Sequence, residues 1–185
     1  IFPQDGSGID GNTVEVAVST AIEESNPEIA KARATGARLL HRSELLSRYV
    51  DSFRTVAVGG TSGKSTVVGM LFTIFEEAGL APSVITGGPL VALKERGLIG
   101  NAWRGKGETL VIEADESDGT IVKYHPAVGL ILNISKDHKE VEEIKAVFRQ
   151  FAENAEKLYI NADAPELAGF REGAELFGKK DSRFK

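Results

Sequence analysis

Twelve residues constrain this chain more than any others: Thr55-Val56-Ala57-Val58-Gly59-Gly60-Thr61-Ser62-Gly63-Lys64-Ser65-Thr66. A short apolar run passes into a glycine-rich turn, and the turn ends in Lys-Ser-Thr where an apolar segment of helical period begins. This is the layout of a strand, a phosphate-cradling loop and a helix. Loop N–H groups and the positive end of the helix dipole face one point and favour an anion there. Lys64 can reach terminal phosphates, and the Ser65 hydroxyl can sit on Mg²⁺. Gly60 and Gly63 let the backbone approach phosphates with no Cβ in the way. The common spacing G-x-x-x-x-G-K-[ST] would need glycine at position 58, where this chain has Val58. The loop is therefore read as a shorter form, Gly60 to Ser65. Beyond it Val67, Leu71, Ile74, Phe75 and Ala78 recur at helical spacing, and Gly79 follows as a stop.

The rest of the chain alternates strand and helix signals, which argues for parallel βαβ units. Strands are expected over 14–18, 38–40, 54–58, 82–85, 109–114, 128–134 and 158–160. Helices are expected over 27–36 with Asn26 as cap, from a Ser43 cap to about 50, after the phosphate loop, over 140–156, and briefly at 165–168. Segments 87–88 and 97–107 read as glycine-containing loop. The expected fold is α/β, a mostly parallel sheet flanked by helices that forms a phosphate-loop mononucleotide-binding domain. A boundary falls near Asp51 to Arg54, separating units 1–52 and 53–185. The first has too few elements to bury a core alone and reads as the end of a larger domain; the second also reads as incomplete.

Composition excludes some function classes. A net charge of −5 argues against broad nucleic-acid binding, which shows a basic face. No apolar run reaches the ~20 residues that span a bilayer, so no membrane partner is expected. The absence of cysteine removes disulfides, thiol chemistry and cysteine zinc sites.

Two further strands run out into chemistry. Val111-Ile112-Glu113-Ala114-Asp115-Glu116-Ser117-Asp118 ends an apolar strand in acidic residues. In open α/β sheets, ligands sit beyond the carboxyl ends of strands. Glu113 is thus aimed at the edge that carries the phosphate loop, where a carboxylate can hold Mg²⁺. Asp118 reads equally well as part of a solvated acidic turn. The run Leu130-Ile131-Leu132-Asn133-Ile134-Ser135-Lys136-Asp137-His138 repeats the pattern. His138 could ligate a metal, orient a substrate or accept a proton near pH 7. His41 and His125 have no such context.

In order and spacing, these stretches resemble the Mur ligases, ATP-dependent ligases of peptidoglycan precursor synthesis. Gly60 to Ser65 matches the family's GTxGK[ST] loop, and Asn133 to His138 its N-I-x-x-D-H segment. Glu113 to Asp118 is similar to the E-A-D-E-S-D segment of the branch that adds L-alanine to UDP-N-acetylmuramate. Val18 to Ile22, followed by Asn26-Pro27-Glu28, looks like the S-S-A-I…N-P-E stretch closing that branch's Rossmann-like UDP-binding domain. His41 to Leu46 looks like its R-A-E-M-L helix start. The chain has Ser62 where that branch usually has histidine, and Ser65 where it usually has threonine.

The resemblance implies a cytoplasmic carboxylate–amine ligase with ATP and Mg²⁺ as cofactors. Its partners would be an amino acid and a nucleotide sugar like UDP-N-acetylmuramate, joined through an acyl phosphate. It implies catalytic roles for Lys64 and His138. Gly60, Thr61, Ser62, Gly63, Lys64, Ser65, Thr66 and Asn133 would contact the nucleotide. Ser65, Glu113 and His138 would hold metal, and Ser19, Thr20, Glu116, Ser117 and Asp118 the substrate. It further implies a third domain outside this stretch, without which turnover is not expected. A muropeptide-recycling tripeptide ligase and a Mur-like paralogue remain open as alternatives. Outside this class, so do a small phosphate-loop kinase and a non-catalytic nucleotide-binding module. A simple kinase has no need of the 113–118 and 133–138 segments.

Overall fold

β3 (Arg54–Gly59) ends in the glycine-rich turn and lies at the centre of a seven-stranded sheet in the order β5-β4-β6-β3-β7-β8-β9. The computed structural model describes residues 2–117, 119–135 and 140–179. They fall into two units divided between Tyr49 and Val50. Among them no helix is long and apolar enough to cross a membrane.

In the first unit, β1 (Glu15–Val18) pairs in parallel with β2 (Arg38–His41). Between them runs α1 (Pro27–Thr35), where the Asn26 side chain accepts from the Glu28 N–H at 2.9 Å. Gly36 closes α1 with φ of 76°, a conformation cheap only for glycine. α2 (Arg42–Ser52) starts one residue before the expected Ser43 cap. The acceptor at its head is His41 Nδ1, which takes the Ser43 N–H at 3.2 Å and lies 2.7 Å from the Ser43 hydroxyl. A ring nitrogen from the strand end thus does what a cap hydroxyl was expected to do.

In the second unit β3 leads through the loop into α3 (Lys64–Glu77), and the chain returns as β4 (Ser83–Ile85). A short α4 (Val91–Lys94) and β5 (Ala102–Trp103) follow, then β6 (Thr109–Ala114) and β7 (Val128–Ile131). The rest comprises α5 (Val141–Asn154), β8 (Leu158–Asn161), a 3₁₀ helix at Pro165–Phe170 and β9 (Glu175–Phe177). All pairings are parallel except β4 with β5. The sheet is therefore mostly parallel and flanked by helices, as expected. The chain crosses from β6 on one side of β3 to β7 on the other, so the carboxyl end of β3 is a topological switch point.

Four local expectations change. The 97–107 segment carries the edge strand β5, and neither α4 nor β9 was expected. β7 stops at Ile131 rather than Ile134, because its partner β3 has by then turned into the loop. Leu132 makes the last link, its N–H to the Gly59 carbonyl at 3.0 Å. On α3 the core face is centred on Val68 and Phe72, beside the predicted stripe. Val67, Leu71 and Phe75 lie at its margin, and Ile74 is 56% exposed.

That core face meets Val58, Val84 and Val111 on one side of the sheet. α5 is buried through Ile144, Phe148 and Phe151. Phe148 presses on β3: a Cβ at Gly59 would lie 2.7 Å from its Cε1. The phosphate loop therefore springs from a strand end with helices packed on both faces, a rigid base for a binding turn.

Candidate active site

The loop is shaped by two glycines. Gly60 sits at φ 144° and Gly63 at 83°, both strained for any side chain. A Cβ at Gly60 would also lie 3.1 Å from the Leu132 Cβ. The backbone turns here because nothing stands in its way, and α3 then begins at Lys64. The loop from Thr61 to Thr66 and the Glu113 carboxylate enclose a cleft of about 250 Å³.

Parallel register places Glu113 level with Val58 on the neighbouring strand. One of its oxygens, Oε2, accepts from the Ser65 hydroxyl at 2.8 Å, the Thr86 hydroxyl at 2.8 Å and the Gly87 N–H at 2.9 Å. Three donors on one carboxylate oxygen fix the orientation of the group. Thr86 was missed in the sequence. It follows β4 immediately at the same carboxyl edge, so the strand-end rule that selects Glu113 would have selected it too.

Lys64 folds back over its own loop. Its ammonium donates to the Gly60 carbonyl at 2.7 Å and to Glu116 Oε2 at 3.0 Å. Both side chains are largely buried, 12% and 8% exposed. Glu116 thus lies against the loop lysine. Ser117 is exposed, its N–H turned onto the Asp115 carboxylate at 3.0 Å.

Asn133 clips the loop from the β7 side. Its Oδ1 accepts from the Thr61 hydroxyl at 2.9 Å and the Ser62 N–H at 3.0 Å, and its Nδ2 donates to the Ser62 carbonyl at 3.0 Å. The Ser135 N–H donates to the Thr61 hydroxyl at 3.0 Å. These bonds link residues about seventy positions apart in the chain. Asn133→Ala should therefore loosen the loop, lowering stability by about 1–3 kcal/mol and weakening nucleotide binding. Denaturant unfolding and a nucleotide titration would check it; Asn133→Asp, which keeps the acceptor oxygens, should fall between.

The structure thus brings together Gly60, Thr61, Ser62, Gly63, Lys64, Ser65, Thr66, Glu113, Glu116 and Asn133. Asp118, Asp137 and His138 lie outside the described residues. Among the described residues no three His, Asp or Glu side chains gather in a way that could hold a metal. Ser19 and Thr20 belong to the first unit, just beyond β1. Ser19, with Asn26 and Arg42, lines a separate cleft of about 250 Å³, and Thr20 is exposed.

A parallel sheet with a Lys-Ser loop at its switch point and a carboxylate on the adjacent strand end defines a class, the α/β mononucleotide-binding domains of phosphate-loop type. Residues 58–182 match the Mur ligase middle domain. The chain belongs to the Mur ligase family. It is 40% identical over 166 residues to the UDP-N-acetylmuramate–L-alanine ligase of Synechococcus sp. (strain RCC307), covering 88% of this chain and 33% of that protein. It superposes on the UDP-N-acetylmuramate–alanine ligase of Thermotoga maritima with a TM-score of 0.74 at 26% identity, over 90% of this chain and 39% of that one. For a murein peptide ligase of Psychrobacter arcticus the TM-score is 0.70 at 25% identity, over 89% and 39%. The chain spans about a third of the length of the curated relatives it matches.

Proposed function

We propose that this chain carries the ATP-binding, carboxylate-activating part of a cytoplasmic ligase that joins L-alanine to UDP-N-acetylmuramate. The observation that carries this reading is the meeting of the Gly60–Ser65 loop with Glu113 at the switch point, in a chain 40% identical to ligases of that name. The chemistry joins two anions: a substrate carboxylate attacks the γ-phosphorus of ATP, giving an acyl phosphate and ADP. The amine of the amino acid then attacks the acyl carbon and phosphate leaves. Charge neutralisation and positioning are therefore what the protein must supply.

The residues present fit that need. The N–H groups at the head of the fourteen-residue α3 offer fixed partial positive charge to phosphates, while those of Thr61 and Ser62 are held by Asn133. Lys64, seated against the Gly60 carbonyl and Glu116, is the cation of the loop among the described residues of the cleft. The Ser65 hydroxyl and the Glu113 carboxylate are hard oxygen donors already 2.8 Å apart, the chemistry Mg²⁺ prefers. When bound, Mg²⁺ neutralises charge on the phosphoryl oxygens. Thr86 and the Gly87 N–H keep the Glu113 carboxylate turned toward Ser65. Asn133 holds the Thr61–Ser62 peptide in place beside the phosphates. We assign Ser19 and Thr20 to the nucleotide sugar, and Ser117 to the substrate side of the acidic strand end.

The test is a transplant. The Synechococcus ligase, with its matching third exchanged for this chain, is given ATP, UDP-N-acetylmuramate and L-alanine. L-alanine-dependent phosphate release is expected. Because the host supplies the remaining two thirds, the assay reads whether this chain can activate the carboxylate. A folded chimera that binds ATP yet releases no phosphate would turn the reading toward a non-catalytic nucleotide-binding module. Curated relatives at about 40% identity carry the name UDP-N-acetylmuramate–L-alanine ligase, which favours the L-alanine reading over tripeptide recycling.

A further inference from the structure

Thr86, Gly87 and Gly88 leave β4 at the carboxyl edge beside Glu113, since Ile85 is level with Ile112 in the β4–β6 pair. The Thr86 hydroxyl and the Gly87 N–H are taken up by the Glu113 carboxylate. Nothing in the protein explains why positions 87 and 88 are both glycine. Neither has a φ in the left-handed range, so the backbone does not call for glycine at either. Crowding does not call for it either. A Cβ at Gly88 would lie 3.8 Å from the Ser65 Oγ, and one at Gly87 would lie 3.4 Å from Glu113 Oε1, both ordinary van der Waals distances. Gly105 and Gly107 differ, because a Cβ there would run into the carbonyl oxygens of Ala81 and Leu80. Glycine where alanine would fit lowers stability, because the unfolded chain has more freedom to lose.

A side chain at 87 or 88 would fill space next to the Ser65–Glu113 pair, whose oxygens are 2.8 Å apart. That space lies on the open flank of the loop. On the β7 flank Asn133 already holds the Thr61 hydroxyl and the N–H and carbonyl of Ser62. Phosphates seated at the head of α3 thus have Asn133 on one side and Ser65 with Glu113 on the other. A phosphoryl group that ends the chain of phosphates carries three outer oxygens and needs free volume beside the pair of hard oxygen donors.

We infer that Gly87 and Gly88 are specificity-determining residues: their missing side chains leave the room in which the terminal phosphoryl group of a nucleoside triphosphate sits beside Ser65 and Glu113. The inference rests on the phosphate-loop reading of Gly60–Ser65 and adds to it which residues make room for the third phosphate.

The test titrates two ligands into the 185-residue chain in excess Mg²⁺, ADP and an ATP analogue whose β,γ bridge resists hydrolysis. Gly88→Ala should weaken the analogue on the order of tenfold or more while moving ADP far less. Its melting temperature should equal or exceed that of wild type. Gly88→Val, with the larger side chain, should widen the gap between the two ligands. Equal losses for both ligands overturn the inference, since the space would then serve the diphosphate or its cation. Unchanged affinity for both overturns it as well. Should Gly88→Ala not fold, Gly87→Ala takes its place and is held to the same outcomes. Lys64→Ala separates the two levels of argument. Unaltered affinity for both ligands in that variant removes the phosphate-loop reading itself, whereas weakened affinity there with no effect at Gly88 removes only the role of the two glycines.

Discussion

Lys64→Ala should raise the dissociation constant for Mg·ATP by roughly 10- to 100-fold. A charge-assisted hydrogen bond to phosphate contributes about 1.5–3 kcal/mol, and each 1.4 kcal/mol is about a factor of ten. Among the described residues of the cleft no other cation can take over. The substitution also removes the cation 3.0 Å from Glu116, so stability should fall, by about 3 kcal/mol for a pair this buried. Affinity must therefore be read on folded protein. The double variant Lys64→Ala/Glu116→Gln supplies the control: it should recover most of the lost stability and little of the lost affinity for the Mg²⁺ complex. A calorimetric titration beside a thermal melt separates the two effects. Wild-type affinity in folded Lys64→Ala would remove the loop from the nucleotide site.

Glu113→Gln should act on metal more than on fold. The side-chain oxygen of glutamine can still receive Ser65, Thr86 and Gly87, so the three bonds that seat the group survive. The cost to stability should stay near 1 kcal/mol. What is lost is the negative charge that a hard cation needs, and one of two good oxygen ligands with it. The Mg²⁺ concentration giving half-maximal nucleotide binding should rise on the order of tenfold or more. Titrating Mg²⁺ at fixed ATP, with a melt alongside, measures both quantities. A variant that binds normally at limiting Mg²⁺ would show that Glu113 serves only to seat Ser65 and Thr86. Thr86→Val makes the complementary test, since it keeps the charge and removes one of the three donors.

These expectations depend on contacts that differ in how well the chain announces them. The loop and the strand beneath it are legible because their signals are local. Glycine where φ is positive, a Lys-Ser pair at a helix head and an apolar run before it all lie within twelve residues. The acidic end of β6 is legible for a similar reason: an apolar strand of a covered sheet must finish at an edge, and ligands gather at the carboxyl edge. The long α5 follows from its period, with Ile144, Phe148 and Phe151 all buried as the spacing demands. Short elements escape this logic. β5 has two residues and α4 has four, too few to establish any period.

The chain alone therefore determined the class of fold, the glycine-rich loop at the head of α3, the identity of Glu113 as the strand-end carboxylate and the family these motifs share. Only the tertiary structure decided which groups face one another. Glu116 lies 52 residues from Lys64, Asn133 lies 71 from Ser62, and Thr86 lies 27 from Glu113. Nothing within either partner's neighbourhood marks such a pair, because a carboxylate at a strand end looks the same whether it meets water, metal or lysine. The register Val58 to Glu113, the crossing from β6 to β7 and the early end of β7 set those distances. They arise from the packing of the whole sheet, where hydrogen-bond pairing and close contact between layers leave one arrangement, and so they are properties of the assembled chain rather than of any segment in it.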